Sequence, residues 1–327
     1  MTAGTSGTSV TVVVVSWQGR HLLGACLESL RAQTLPHRLV VVDNASTDGT
    51  AAFLAAEHPE ATVVTTPANL GFAGGVQAGL DAVDTPYAAL LNNDAQAEPG
   101  WLEALVGHLE ASPEAAAVTS RMVLADRPGV LNNTGVVLLA DGYGTDRGFG
   151  EPDGTYADAE EVFGFSGGAA ALRMDAVRQV GGFARRFFLY YEDTDLSWRL
   201  RALGWRIRYQ PAAVARHIHS ASSVEWSPLF VFHTDRNRLL MLTKNARAGL
   251  AAREVLRYPL TTASLALREV ARARHTRRRP PVRPTLLRLR VLGSYLRLLP
   301  VMLVRRRRIA ARATVDRKRL ERWLVLR

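Results

Sequence analysis

The chain has a single cysteine, Cys26, in 327 residues, so no disulfide can form within it, and such usage fits a reducing compartment. Its opening, MTAGTSGTSV, lacks the basic start of a secretory signal, and the apolar run that follows is too short to span a bilayer. There is no internal repeat, no His-Glu-x-x-His and no cysteine pair to complete a zinc site. Acids nearly vanish after residue 235. From Arg236 onward there are 26 Lys and Arg against 4 Asp and Glu, whereas the first 235 residues hold 15 against 26. The front of the chain is acidic, near −11, and the tail is basic, near +22. Such a tail seeks a polyanion, either a nucleic acid or the anionic face of a membrane.

What is present is enough apolar residue, 47%, to bury a full core in one large domain with an appendage. The β-branched run VTVVVVSW predicts a buried strand, and RHLLGACLESLRAQ has helical spacing at Leu22, Cys26 and Leu30. HRLVVVDNASTDGT, ATVVTTP and YAALLNND predict further strands, separated by helices through AAFLAAE and GGVQAGLDAV. Strand and helix alternate, which predicts an α/β domain with a mainly parallel sheet and a ligand site beyond the carboxyl ends of its strands. Residues 121–163 read as loops or short strands, with LNNTGVVLLADGYG a hairpin; from about 236 a helical pattern takes over, broken at RRRPPVRP. The expected organisation is a disordered stretch over 1–9, the α/β domain over 10–235 and a basic helical region over 236–327.

Polar residues collect where the strands end. Asp43 closes the second strand and could accept a hydrogen bond from a ligand N–H, or could belong to a simple strand-turn-helix with Ser46, Asp48 and Gly49. NLGFAGGVQAG, residues 69–79, is a glycine-rich turn into a helix, where bare backbone could approach a diphosphate or merely make a tight turn. Asn92, Asn93 and Asp94 end the fourth strand. A carboxylate flanked by amide oxygens suits Mg²⁺ or Mn²⁺, although Asp94 could equally cap the turn. His217 and His219, two apart in an extended segment, point the same way. In FFLYYEDTDLSWRL, residues 187–200, Glu192, Asp193 and Asp195 follow aromatics and open a helix; capping explains one or two of them. FSGGAAALR, around Gly167 and Gly168, reads as a small-residue strand.

Taken together and in order, VSWQGR, VVVDNASTDGT, NLGFAGG, LLNND, FSGGAAALR and FFLYYEDTDLSWRLRALGW with the following His resemble the family 2 glycosyltransferases of the GT-A fold. They look most like bacterial rhamnosyltransferase-like members that use dTDP- or UDP-sugars. The resemblance covers about residues 10–223. It implies donor contacts from Ser16, Asp43, Asn69, Gly71, Gly74, Asn92 and Asn93, with Asp43 pairing with a pyrimidine N–H. It also implies a metal-binding Asp94 with His217 completing the shell, and a pocket for sugar or acceptor at Gly167, Gly168 and Trp198. Asp193 matches the general base and Glu192 a partner that binds acceptor hydroxyls, while Asp195 is assigned to structure and Trp198 and Trp205 mainly to packing. At Asn92 many members carry a second Asp, so this chain keeps an oxygen there and loses a charge.

The implied reaction is an inverting transfer from a nucleotide sugar to a glycan or polyprenyl-linked acceptor. The tail run PTLLRLRVLGSYLRLLPVMLVRRRR contains Arg288, Arg290 and Arg297, each costing roughly 2.5–3.5 kcal/mol at a bilayer centre, so it is not expected to span. Arg283, Arg290 and Arg297 recur every seven residues, and an amphipathic helix lying on an anionic leaflet is the expected role, against an ordinary solvated bundle. The enzyme is then cytoplasmic and peripheral on the inner face of the cell membrane. Two rivals stand beside this reading. A nucleotidyltransferase would want a basic glycine-rich signature near the first strand, where Gly19-Arg20 is the only candidate. A nucleic-acid-binding protein would want aromatics in the tail for base stacking, and there are few. Sugar, linkage and oligomeric state are left open.

Overall fold

β-Branched side chains crowd a helical turn and fit a pleated sheet, and VTVVVVS accordingly forms strand β1 (Val10–Ser16) in the middle of the molecule. The structure is a computed structural model that describes residues 9–218, 226–276 and 282–326. After β1 the chain alternates through α1 (Arg20–Arg31), β2 (Arg38–Asp43), α2 (Thr50–Glu57), β3 (Thr62–Thr65), α3 (Gly71–Asp81) and β4 (Tyr87–Asn92), the predicted succession. Then come β5 (Ala95–Ala97), α4 (Trp101–Ala111), β6 (Ala115–Leu124), β7 (Leu131–Asn133), β8 (Val136–Leu139), β9 (Gly144–Asp146) and β10 (Ala169–Arg173). α5 (Met174–Val180), α6 (Glu192–Ala202) and β11 (Arg206–His217) complete the sheet domain. Three long helices follow, α7 (Pro228–Asn245), α8 (Ala248–Thr276) and α9 (Val282–Arg312), with a short α10 (Arg317–Leu320) and β12 (Leu324–Val325) at the end.

The main sheet runs β3-β2-β1-β4-β10-β6-β11-β5. β3, β2, β1 and β4 are parallel, and β10 lies antiparallel between β4 and β6. The fold is therefore the expected α/β class, with helices on both faces. Alternation along β1 divides the core. Val10, Val12 and Val14 meet Leu23 and Leu27 of α1 and Trp101 and Leu105 of α4, whereas Val13 meets Val76 and Leu80 of α3 and Leu196 and Leu200 of α6. Helix α3 lies close on β1 because Gly75 and Gly79 leave no side chain to collide with Val15 and Val13. The parallel register aligns Ser16 with Asp43 and Val15 with Asn92, so the polar ends of three strands fall at one edge of the sheet.

Three local readings are corrected. The hairpin is β8 paired with β9; residues 131–133 instead pair with β6. β5 and the start of β6 are alanine-rich, with little β-branching to mark them in sequence, and the sheet recruits them regardless. The expected boundary at 235 falls inside α7, whose Leu239, Leu240, Met241 and Leu242 share a buried cluster with Trp198 of α6 and Val291, Tyr295 and Met302 of α9. The basic helices are thus packed on the sheet domain along one side. The break expected at RRRPPVRP falls between α8 and α9, with residues 277–281 outside the described residues, as are 1–8 and His219.

Candidate active site

At the strand-end edge lies a cleft of about 510 Å³. Asn92, Asn93 and Asp94 line it from the end of β4, Asn69 and Gly71 from the glycine-rich turn, Gly167 and Gly168 from the approach to β10, Glu192 and Asp193 from the start of α6, and His217 from the end of β11. Segments distant in sequence converge here because the carboxyl ends of β4 and β11 and the entry to antiparallel β10 share one edge of the sheet, where the start of α6 also reaches the cleft. Asp94 and Asp193 open onto one cavity.

The polar residues are held by one another. The Asn93 amide donates to Ser16 Oγ at 3.3 Å, and the Asn92 N–H donates to the Gly168 carbonyl at 2.8 Å. Asn44, which sequence reading passed over beside Asp43, organises the glycine-rich turn: its Oδ1 accepts from the Leu70 N–H and its Nδ2 donates to Asn69 Oδ1 and to the Gly71 carbonyl. A polar residue just past an apolar strand is the signal that could have found it. Asn69 Oδ1 in turn accepts from the Gly71 N–H at 2.8 Å. Gly71 has a φ of 69°, and a Cβ there would run into the backbone carbonyl of Phe188. The bare backbone at Gly71 thus makes room for another segment of the chain.

Four expected site residues stand back from the cleft. Ser16 is buried behind Asn93, and Asp43 is buried at the end of β2 with its carboxylate accepting the Ser46 N–H at 2.9 Å. Gly74 sits against the Leu70 side chain, one turn into α3. Trp198 is a correction: it packs edge-on against Phe163 in the core, 5.8 Å between ring centroids, because six residues past Glu192 the helix presents its other side to α7.

Asp94 and His217 meet with Oδ1 and Nε2 3.2 Å apart, and His217 Nδ1 lies 2.8 Å from Asn132 Oδ1. With Nδ1–H donated to that amide oxygen, Nε2 faces the carboxylate either with a second proton or with its lone pair. In the latter case two electron-rich atoms confront each other and a cation between them relieves the repulsion. Carboxylate and imidazole together suit Mn²⁺ or Mg²⁺ with waters or ligand oxygens filling the remaining positions. Among the described residues no group of three or more His, Cys, Asp or Glu is gathered as a metal site.

The acids of α6 divide by environment. Asp193 Oδ2 accepts the Gly167 N–H at 3.0 Å and Oδ1 accepts the Thr194 N–H and hydroxyl. Burial raises its pKa above the ordinary aspartate value, opposed by those hydrogen bonds. Glu192, beside it, has a buried oxygen with no hydrogen-bond partner, and burial followed by the neighbouring Asp193 charge pushes its pKa well above the ordinary value. Asp195 points the other way, into the core, where Lys244 Nζ, Arg199 Nε and Asn245 Nδ2 bind its carboxylate. Burial works against its charge, but Lys244 and Arg199 prevail and hold its pKa low. The assignment of Asp195 to structure agrees with that geometry.

The sequence profile of glycosyl transferase family 2 matches residues 11–181, more than half of the chain. The chain belongs to glycosyltransferase family 2. The chain is 29% identical over 260 residues to a pre-mycofactocin glycosyltransferase of Mycobacterium tuberculosis, with 75% of the chain aligned to 52% of that protein. It therefore spans about half the length of that relative. It is 30% identical over 243 residues to the N-acetylglucosaminyl-diphospho-decaprenol L-rhamnosyltransferase of the same organism, covering 66% of this chain and 78% of that one. In fold it is similar to GalNAc-T7, solved with UDP, GalNAc and Mn²⁺, with a TM-score of 0.60 at 13% identity over 73% of this chain and 48% of the other. The chain has the GT-A architecture, and its cleft lies at the strand-end edge of that sheet.

Proposed function

We propose that this glycosyltransferase transfers a sugar, with inversion, from a pyrimidine nucleoside-diphosphate donor such as dTDP-rhamnose or a UDP-sugar to a hydroxyl of a polyprenyl-linked or cell-envelope glycan. The observation that carries the reading is the single cleft onto which both the Asp94–His217 pair and the buried Asp193 open. Asp193 takes the proton of the acceptor hydroxyl as its oxygen bonds to the anomeric carbon, and the nucleoside diphosphate leaves with the electron pair of the broken C–O bond. A carboxylate so placed contributes roughly 10²–10⁴-fold. Its pKa, raised by burial, makes it a stronger base than an exposed aspartate.

Asp94 and His217 are the residues that would hold Mg²⁺ or Mn²⁺, and a bound ion would offset charge on the departing diphosphate. The Mn²⁺ solved with UDP in a protein of similar fold supports that choice, and Asn92, which lines the cleft, would offer at most a neutral oxygen where a second carboxylate would bind more tightly. On this reading Asn69 and the Gly71 backbone, which line the cleft and are held by Asn44, would meet the nucleotide, with Asp43 the expected partner of the base. Glu192, whose neutral form is favoured by burial and by the neighbouring Asp193 charge, would offer an O–H to the acceptor. The acceptor class is supported by the decaprenol-linked substrate named for the rhamnosyltransferase relative. Association with the inner, anionic face of the membrane is supported by the arginine-rich helices.

The test is a donor screen with purified protein, Mg²⁺ or Mn²⁺ and lipid extract, reading released nucleoside diphosphate. Release of UDP or dTDP dependent on lipid acceptor is expected; pyrophosphate release from a nucleoside triphosphate would reject transfer in favour of a nucleotidyltransferase. In the same assay Asp94→Ala should raise the metal concentration for half-activity at least about tenfold, and an unchanged titration removes Asp94 from the metal site.

A further inference from the structure

The turn that delivers Glu192 and Asp193 is strained. Phe188, with ψ −62° at the centre of a tight turn in which the Leu189 N–H donates to the Phe187 carbonyl at 2.8 Å, and the next two aromatics, Tyr190 and Tyr191, all have a positive φ, of 65°, 67° and 70°. Bulky aromatic residues rarely adopt it, and a run of them persists only where the surroundings over-determine it. The geometry leaves the carbonyls of Phe187, Leu189 and Tyr190 converging on one point. At that point sits the carboxamide of Asn237, fully buried, its Nδ2 2.9 Å from the first and 2.8 Å from each of the others. Arg236 fixes the amide the right way round, its Nε donating to Asn237 Oδ1 at 3.0 Å, and its Nη2 donates to the Phe187 and Arg186 carbonyls. His233 stacks on the Phe188 ring with 5.2 Å between centroids. On the far side the Phe188 carbonyl accepts the Ala73 N–H at the start of α3, in the space that Gly71 leaves.

Taking Asp193 as the base of the proposed reaction, we infer that Asn237 is a positioning residue, a polar clamp from α7 that holds the turn 187–191 in the conformation that aims Asp193 into the cleft. Phe230, His233, Thr234 and Asn237 follow helical spacing along one side of α7. Phe230 and Thr234 line the cleft itself, so the helix builds the site directly. The inference gives the arginine-rich C-terminal helices a catalytic consequence separate from their charge. Without the Asn237 N–H donors the positive-φ run loses the contacts to its Leu189 and Tyr190 carbonyls and keeps those of Arg236 on Phe187 and Ala73 on Phe188, and a shift of the base by about 1 Å can cost on the order of 10²-fold in rate.

Asn237→Ala and Asn237→Asp in the full chain test it. Both should lower kcat at least about tenfold while the affinity for UDP, measured by equilibrium binding, stays within about threefold. Amide hydrogen exchange should rise selectively over residues 187–194. The order of the two variants separates a clamp from packing. Asp keeps the shape but turns a carboxylate on three carbonyls, so a clamp makes it at least as damaging as Ala, whereas a packing role makes Ala the worse. Arg236→Lys is a milder variant that loses the bond to the amide oxygen, and it should move kcat and exchange in the same direction by less. Unchanged kcat, unchanged local exchange, or the reverse order overturns the inference. A wild type inactive on every nucleotide sugar overturns the proposed reaction instead, and exchange over 187–194 still decides whether the clamp exists.

Discussion

Burial sets the chemistry of the two neighbouring carboxyls at the head of α6. Asp193 is raised in pKa but keeps three hydrogen bonds to its ionised form, whereas Glu192 is raised further, with an unpartnered buried oxygen and a charged neighbour. On the proposed reading the pair divides its roles, Asp193 as base and Glu192 as the carboxyl that burial favours in its neutral form, as environments that push two pKa values apart tend to do. Asp193→Asn should cut turnover roughly 10²–10⁴-fold with little change in UDP affinity, and wild-type turnover would refute the base. Glu192→Gln should retain activity within about tenfold, since an amide imitates a protonated carboxyl. Collapse equal to that of Asp193→Asn would mean that Glu192 works ionised. The acid limb of the kcat profile should have its midpoint above 3.8, the ordinary aspartate value, because the folded site holds the proton more tightly than water does. For stability the sign runs the same way: these two acids favour the fold at low pH and lose that contribution as pH rises from their ordinary values to their folded ones.

At the scale of the element, α6 is a helix whose charges are mostly buried. Asp195 binds Arg199 and Lys244, and Arg201 reaches the Phe163 and Val162 carbonyls and Glu161. In sequence nothing local to EDTDLSWRLRA announces that α7 will cover its charged residues. Asp195 has a folded pKa below its ordinary value, so its contribution is present above pH 3.8 and is lost as pH falls through the folded value. Asp195→Asn leaves two cations in the core without a counter-charge, and should cost about 3–5 kcal/mol in urea unfolding. A loss under 1 kcal/mol would show that water reaches the pair. Gly71 tests the join between elements. Gly71→Ala combines a left-handed φ with overlap of the Phe188 carbonyl, and should reduce both stability and kcat, by about 1–3 kcal/mol for the former in the same unfolding assay.

Across the whole molecule the basic helices do two things. One side of α9 packs inward through Val291, Tyr295 and Met302, and the other leaves Leu286, Leu289, Leu296 and Leu303 between 46% and 54% exposed, beside Arg283, Arg290 and Arg297. Leu256, Leu260 and Leu267 of α8 are exposed as well. Among the described residues no helix is long and apolar enough to cross a membrane. An apolar stripe edged with arginine suits the plane of an anionic bilayer, each arginine near the surface being worth about 1 kcal/mol. Leu289→Glu with Leu296→Glu should therefore reduce sedimentation with phosphatidylglycerol vesicles at least about tenfold without loss of folding. Equal sedimentation would assign the stripe another role. Point changes serve here because removing α9 would also strip the cover from α7.

Sequence alone determined the alternating α/β order, the strand ends as the place of the site, and the acids and amides gathered there, since hydrophobic period and strand-terminal polarity are local properties. It also drew a line between Asp193 and Asp195, of which the first lines the cleft and the second lies in a buried ion cluster. Tertiary structure decided what depends on distant segments meeting. Asn44 organises the glycine-rich turn, Gly71 yields space to Phe188, Trp198 turns into the core, and α7 crosses the expected boundary to hold the strained turn. Those outcomes rest on contacts between residues far apart in the chain, where a single polar side chain such as Asn237 has no local pattern to distinguish a clamp from a solvated surface.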